Sequence, residues 1–317
     1  MKIINSLMAA ACFSASASAG HLEGVPASEQ QRAPLPAVLK QVAPDLHFFY
    51  NDGSSNSAFL VADAGVLVVD TGQHPAEGRA LLERIRKVTD KPVKWVINTH
   101  AHGDHYFGNK AFKDAGATIV AHRDTAAMMK AHYQYETSRR QAYFKRQKLD
   151  PDEVALVLPD VAYGSSLTIT LGNRRVQVMY LGPGQNPGDT LVHFPHARAL
   201  FVGGPFARRN WSNTSFTPSV NGWIALLDEI VMMDVDTYLP GHGDVGTKQD
   251  VRDEAKLLAD VQAGVRGALA KGMSKEEMVR SLTFRQYSTL RNYDRLHGFI
   301  EALHHLYTTG KPLIALP

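Results

Sequence analysis

The chain has 317 residues, 44% of them hydrophobic and 21% charged, which is enough to bury a large core and argues against intrinsic disorder. Lys and Arg number 34 against 31 Asp and Glu, and the basic residues are scattered apart from short pairs such as Arg139-Arg140 and Arg208-Arg209. The charge therefore calls for no nucleic-acid partner, and the length suits one large domain or a domain with an appendage.

Lys2 gives a positive start, Ile3 to Phe13 an apolar run, and Ala17-Ser18-Ala19 a small-residue cleavage site before Gly20. This is the pattern of a secretory signal over residues 1–19. The run is well short of the roughly 20 residues of a spanning helix, so no stable membrane span is expected, and the mature protein is expected in the periplasm or outside the cell. Cys12, the single cysteine, falls inside the signal and leaves the mature chain no thiol to oxidise. The alternative is a lipoprotein with Cys12 as its acylated first residue after Ala9-Ala10-Ala11.

Residues 20–44 are rich in Pro, Gln, Ala and Ser and read as an extended arm leading into the fold. Residues 46–50 and 57–62 read as strands around the turn Asn51-Asp52-Gly53-Ser54-Ser55, and 66–69 as a buried strand ended by Asp70-Thr71-Gly72. The spacing of Ala80, Leu81, Ile85 and Val88 predicts a helix over 76–88. Residues 93–98 return to strand, 108–115 predict a second helix and 117–121 another strand. This alternation argues for an α/β layered fold with functional groups at the strand ends.

Residues 125–154 are charged, tyrosine-bearing and mostly helical, an insertion over one face that reads either as a lid or as a solvated helical pair. A β-rich block follows over 166–171, 175–181, 190–194 and 199–203. Residues 222–227 form an amphipathic pattern that takes Trp223 into helix packing. From 246 to 317 the chain is almost wholly helical (251–269, 274–282, 290–307), with Ser274 and Glu277 spaced for a capping box. This extension is expected to pack on the fold or to support an oligomer.

The densest chemistry lies directly after strand 93–98. His100-Ala101-His102-Gly103-Asp104-His105 puts three imidazoles and a carboxylate within six residues, the donor set that a divalent transition metal needs. This fingerprint, His-x-His-x-Asp-His, resembles that of the metallo-β-lactamase-fold hydrolases. Residues 66–72 resemble the family's strand ending in Asp-Thr-Gly, Gly182-Pro183-Gly184 its second metal loop, 200–206 its next strand and turn, and Pro240-Gly241-His242-Gly243 its last metal loop.

The resemblance implies an αββα sandwich over 45–245, with the site at one edge between the sheets. It also implies one metal on His100, His102 and a third histidine, and another on Asp104, His105 and His242. The third-histidine position is Gln185, and the position of the bridging aspartate found in many relatives is Gly204. A glutamine oxygen is neutral and a poorer donor to zinc than imidazole. One or two zinc ions are therefore expected: the Asp104/His105/His242 position is complete, while at the other Gln185 ligates weakly, gives way to water, or leaves the position empty.

The expected chemistry is hydrolysis of an ester, lactone, amide, thioester or sulfate of a small molecule. Zinc lowers the pKa of a bound water to about 7, and Asp104 orients that water and carries its proton. Imidazole at 102, where diiron redox members of the fold have a glutamate, favours hydrolysis over redox chemistry. The rival reading is a non-catalytic binding or accessory protein on a scaffold whose metal site decayed at Gln185 and Gly204.

Other residues carry less weight. Asp70 either orients the metal loop or simply ends a strand. His74 reads as a solvated loop histidine, His122 as structural or as support for a ligand, His193 and His196 as structural, and His304-His305 as helix surface. Phe206, Trp211, Phe216 and Trp223, with Arg208-Arg209, fall between the second metal loop and His242, where they could line a pocket for an apolar or anionic substrate, helix packing being the simpler reading of Trp223.

Overall fold

Twelve strands among the described residues, 37–51 and 53–317 of a computed structural model, are shared between two sheets. The expected signal, its Cys12 and most of the expected arm lie outside the described residues. The first sheet is ordered β1 (Val38–Ala43), β2 (Leu46–Tyr50), β3 (Ser57–Ala62), β4 (Gly65–Val69), β5 (Val93–Ile97), β6 (Thr118–His122), β7 (Val161–Tyr163). It is antiparallel as far as β4 and parallel from β4 to β7. The second sheet runs β12 (Thr237–His242), β11 (Ala199–Ala207), β10 (Leu191–Phe194), β9 (Arg174–Met179), β8 (Ser166–Leu171), and only β11 and β12 pair in parallel.

Strand alternation divides the core into layers. In β4, Leu67 and Val69 face the second sheet with Val178, Val192 and Phe201, while Val66 and Val68 face outward onto Leu81, Ile85 and Phe112. Those three residues belong to α1 (Pro75–Arg86) and α3 (Asn109–Asp114). In β11, Ala199 and Phe201 face inward, while Leu200 and Val202 meet α6 (Val220–Met232), α7 (Lys248–Ala270) and α9 (Arg295–Thr309). The layers are thus helix, sheet, sheet, helix. A strand covered on both faces reads as an unbroken apolar run, which is why Gly65–Val69 and the start of β11 stand out in the sequence.

The C-terminal helices belong to this packing. Trp223, Leu226 and Ile230 of α6, Val251, Leu258 and Val261 of α7, and Phe299, Ile300 and Leu303 of α9 share one buried cluster. The extension over 246–317 therefore packs on the fold. Its shorter helix α8 (Lys275–Ser281) opens on the Ser274/Glu277 capping box that the spacing predicts. No helix among the described residues is long and apolar enough to cross a membrane.

The structure departs from the sequence reading in three places that bear on the site. The last residues of the expected arm form β1, which pairs antiparallel with β2; residues 38–43 alternate well enough to extend an edge, but the proline-rich stretch before them hides this. β7 is a three-residue strand held by parallel pairing with β6, too short to leave a sequence pattern. The insertion folds as α4 (Arg123–Ser138) and α5 (Gln141–Gln147). Met128, Met129 and Phe144 bury against Ala101, Tyr106 and Phe107 beside the metal motif, so it is a packed wall.

Candidate metal centre

The parallel strands β4 and β5 of one sheet and β11 and β12 of the other end at the same edge of the sandwich. From those ends come Asp70, the His100–His105 motif and His242, with Gly204 inside the second half of β11. The motif leaves β5 through Asn98 and Thr99 and enters the four-residue helix α2 (Gly103–Tyr106). Its backbone is fixed at His105, whose carbonyl accepts from Thr71 N at 2.9 Å and from Asn98 Nδ2 at 3.3 Å. Asn98 and Asn109 exchange two side-chain bonds beneath it, at 2.9 and 2.8 Å.

Asp70 settles which ring nitrogens face the site. It is fully buried with a left-handed backbone (φ 57), a conformation that Asp tolerates better than most residues. Its Oδ2 accepts from His105 Nδ1 at 2.7 Å and from the Thr99 hydroxyl at 2.7 Å, while Oδ1 accepts from Thr99 N at 2.8 Å. The Thr99 hydroxyl has spent its only proton on Asp70, so its oxygen accepts from His100 Nδ1, 2.9 Å away. Both rings then carry their proton on Nδ1 and present an Nε2 lone pair, the form that binds a metal. Burial holds His100 well below the ordinary histidine pKa and takes His105 down to about 3, so both rings are neutral. Burial pushes the Asp70 carboxyl up to about 7. Asp70 therefore orients the metal loop, the first of its two expected roles.

The Nε2 of His105 faces Asp104 and His242. The edges of this donor triangle are 3.4 Å from His105 Nε2 to His242 Nε2, 3.2 Å from His242 Nε2 to Asp104 Oδ2, and 3.7 Å from His105 Nε2 to Asp104 Oδ2. Donors held about 2.0–2.2 Å from a tetrahedral zinc stand about 3.3–3.6 Å apart, so the three groups fit one ion. Among the described residues they are the only group of three or more His, Cys, Asp or Glu side chains so convergent.

The other half of the motif converges less fully. His100 Nε2 lies 3.0 Å from His102 Nδ1, and Gln185, 4% exposed, lies alongside. A Cβ at Gly204 would stand 2.4 Å from Gln185 Oε1 and 3.2 Å from His100 Cε1. The bare glycine is what leaves room for the glutamine. His102 Nε2 is buried without a hydrogen-bond partner, so ligation through Nδ1 would leave its remaining N–H unpaired, a cost that the Asp70-supported rings avoid. Burial also holds His102 well below the ordinary histidine range.

Two residues that the sequence did not mark for the site support the motif, Arg140 at Asp104 and Glu136 at Gly103. Arg140, between α4 and α5, donates to Asp104 Oδ1 and to Glu136 Oε2, and Glu136 Oε2 also accepts from Gly103 N at 2.7 Å. Burial opposes a charge on Asp104, but Arg140, His105 and His242 hold its carboxyl well below the usual carboxylate range. The i,i+4 spacing of Glu136 and Arg140 was the available sequence signal. A third residue, Asp189, is fully buried behind Gln185; its Oδ2 accepts from Asn186 N at 2.7 Å, its Oδ1 has no partner, and burial pushes its carboxyl up to about 8.

The remaining expected residues fall away from the donors. His74 is buried and not solvated: its Nδ1 caps α1 by accepting from Ala76 N, and its Nε2 donates to the Asp150 carbonyl. His122 caps α4 in the same way, and His193 and His196 pair with Gln177 and Asp45. Phe206, Trp211 and Trp223 are buried in the helix-side core, where they fill space. Phe216 stacks obliquely on His102, with ring centroids 5.4 Å apart.

A sandwich of two sheets between helices, with histidines and an aspartate converging where the strands end, is the arrangement of the metallo-β-lactamase fold with a candidate metal position. Residues 50–242 match the model of the metallo-beta-lactamase superfamily, and the chain belongs to it. It is 23% identical over 259 residues to a linear primary-alkylsulfatase from Pseudomonas sp., covering 70% of this chain and 49% of that protein. It is 26% identical over 217 residues to a metallo-beta-lactamase type 2 from Bacillus sp., covering 65% of this chain and 74% of that one. Among solved structures, the stereoselective inverting sec-alkylsulfatase from Pseudomonas sp. superimposes with a TM-score of 0.69 at 15% identity, over 86% of this chain and 50% of that one. A metallo-beta-lactamase from Pontibacter korlensis gives a TM-score of 0.56 at 18% identity, over 70% of this chain and 99% of that one. The chain spans about half the length of the alkylsulfatase relatives.

Proposed function

We propose that the protein is an exported, zinc-dependent hydrolase that cleaves an ester, lactone, amide or related bond of a small molecule. Asp104, His105 and His242 form its main metal position, and His100, His102 and Gln185 a weaker one. The observation that carries this reading is the donor triangle with edges of 3.2, 3.4 and 3.7 Å. Zinc, when bound, supplies Lewis acidity and lowers the pKa of a coordinated water to about 7.

The chain's own groups do the positioning. Asp70 holds His105 in its ligating tautomer directly and His100 through Thr99. Arg140 takes Asp104 Oδ1, leaving Oδ2 to ligate and to orient the attacking water. The matched relatives named as alkylsulfatases and β-lactamases make sulfate esters and β-lactam amides the first compounds to assay. Localisation in the periplasm or outside the cell rests on the secretory pattern of residues 1–19.

Zinc content after purification in zinc-supplemented buffer tests the reading. About one equivalent or more per chain is expected, with loss in His105→Ala and a gain in Gln185→His. Below about a tenth of an equivalent the hydrolase reading fails, and the alternative of a non-catalytic accessory protein, which the departures at Gln185 and Gly204 favour, takes its place.

A further inference from the structure

The loop that carries His242 also forms one wall of a cavity of about 530 Å3 that the metal position does not use. The size is that of a small-molecule site. Arg208, Arg209 and Arg291 line it with one carboxylate, Asp244, and with Tyr50 and Leu290 as partly apolar surface. Asp244 is already held by Lys40 at 2.5 Å, and Arg208 Nε donates to Asp250 at 3.0 Å. Arg209 is exposed, and its guanidinium makes no ion pair or hydrogen bond among the described residues.

The backbone holds Arg209 in place at some cost. Its φ of 54 is left-handed, a backbone conformation that L side chains disfavour. Neighbours on both sides enforce it. Arg208 N donates to the His242 carbonyl at 3.0 Å, Arg291 N to the Arg209 carbonyl at 3.0 Å, and Trp211 N to the Arg291 carbonyl at 3.0 Å. Asn292 Nδ2 donates to Asn210 Oδ1 at 2.8 Å. A Cβ on Gly243 would stand 2.3 Å from the Arg208 carbonyl oxygen, so the glycine after His242 lets this turn press against the metal loop. Over-determined strain of this kind gathers at ligand clamps.

We propose that this cavity receives an oxyanionic group (carboxylate, sulfate or phosphate) of an organic substrate, with Arg209 as its recognising guanidinium and residues 289–291 of the C-terminal segment as part of the pocket wall. A guanidinium fork matches two oxygens of such a group, and Tyr50 and Leu290 take adjoining carbon. That the anion belongs to a substrate rests on the hydrolase reading; the binding itself does not.

Hexanesulfonate, an uncleavable organic anion, tests the proposal by calorimetry on zinc-free full-length protein, beside hexanol and inorganic sulfate. Arg209→Asn removes the charge while keeping a residue that tolerates the left-handed backbone, and Arg209→Lys keeps the charge. Hexanesulfonate should bind the native chain at least fivefold more tightly than hexanol or inorganic sulfate; Arg209→Asn should lose most of that advantage, and Arg209→Lys should retain part of it. Equal binding by the native chain and Arg209→Asn, or inorganic sulfate binding as tightly as hexanesulfonate, overturns the proposal. Neither result touches zinc content, so failure here is separable from failure of the metal reading.

Discussion

Arg140→Met is the most informative single change because it removes a cation from a buried cluster without touching a metal donor. Arg140 and Glu136 side chains are 9% and 0% exposed, and Asp104 is 16% exposed. After the change Glu136 keeps the Gly103 N–H at 2.7 Å and Arg139 at 3.0 Å, so the charge left uncompensated is mainly that of Asp104. Breaking a buried pair from one side costs about 3–5 kcal/mol. At about 2–4 °C per kcal/mol for a chain of this size, the melting temperature of chelator-treated protein should fall by about 6–20 °C. Zinc should narrow the gap, because it returns a cation to Asp104 Oδ2, and adding Glu136→Gln should recover part of the loss by removing the second carboxylate. Urea titration of the single and double variants, metal-free and with zinc, measures these effects. A loss below about 1 kcal/mol for Arg140→Met, the value of an exposed pair, would refute the claim that Arg140 supports Asp104 from within the core.

Two further outcomes follow from groups on either side of the second sheet. Glu254 on α7 is buried, and burial raises its carboxyl to about 8. The folded state therefore favours the protonated form: the contribution is full below the unfolded value near 4.5 and is lost as pH rises through about 8, an upper bound of about 5 kcal/mol by linkage. Glu254→Gln should flatten the fall in melting temperature between pH 5 and pH 9 and be the more stable protein at pH 9; an unchanged slope would show that Glu254 is not the group responsible. Asp70→Asn should weaken zinc binding about 10–100-fold, read by competition with a chromophoric chelator, and an unaltered affinity would remove Asp70 from its orienting role.

The layers and the donor motif were legible because each leaves a local pattern. Strands buried on both faces give unbroken apolar runs such as Val66-Leu67-Val68-Val69, and the motif packs its donors into six residues. What stayed hidden depends on contacts between distant segments. Arg140 lies 36 residues from Asp104 in sequence, and nothing at either position marks the other. The cap formed by His74 resembles a loop histidine until α1 is seen to start on it. The two departures from the family pattern, Gln185 and Gly204, read as separate losses in sequence. In space they are one substitution, since the missing Cβ is what makes room for the glutamine oxygen.

Asp70 contributes no donor atom, yet it bonds His105 directly and reaches His100 through the Thr99 hydroxyl. Both halves of the centre thus take their protonation pattern from one carboxylate on a strand end. An engineer who wished to change the metal preference of one half alone would find the two positions wired in parallel, so selectivity would have to be altered at Asp104 or His242 in one half and at His102 or Gln185 in the other, the donors to which Asp70 makes no such link.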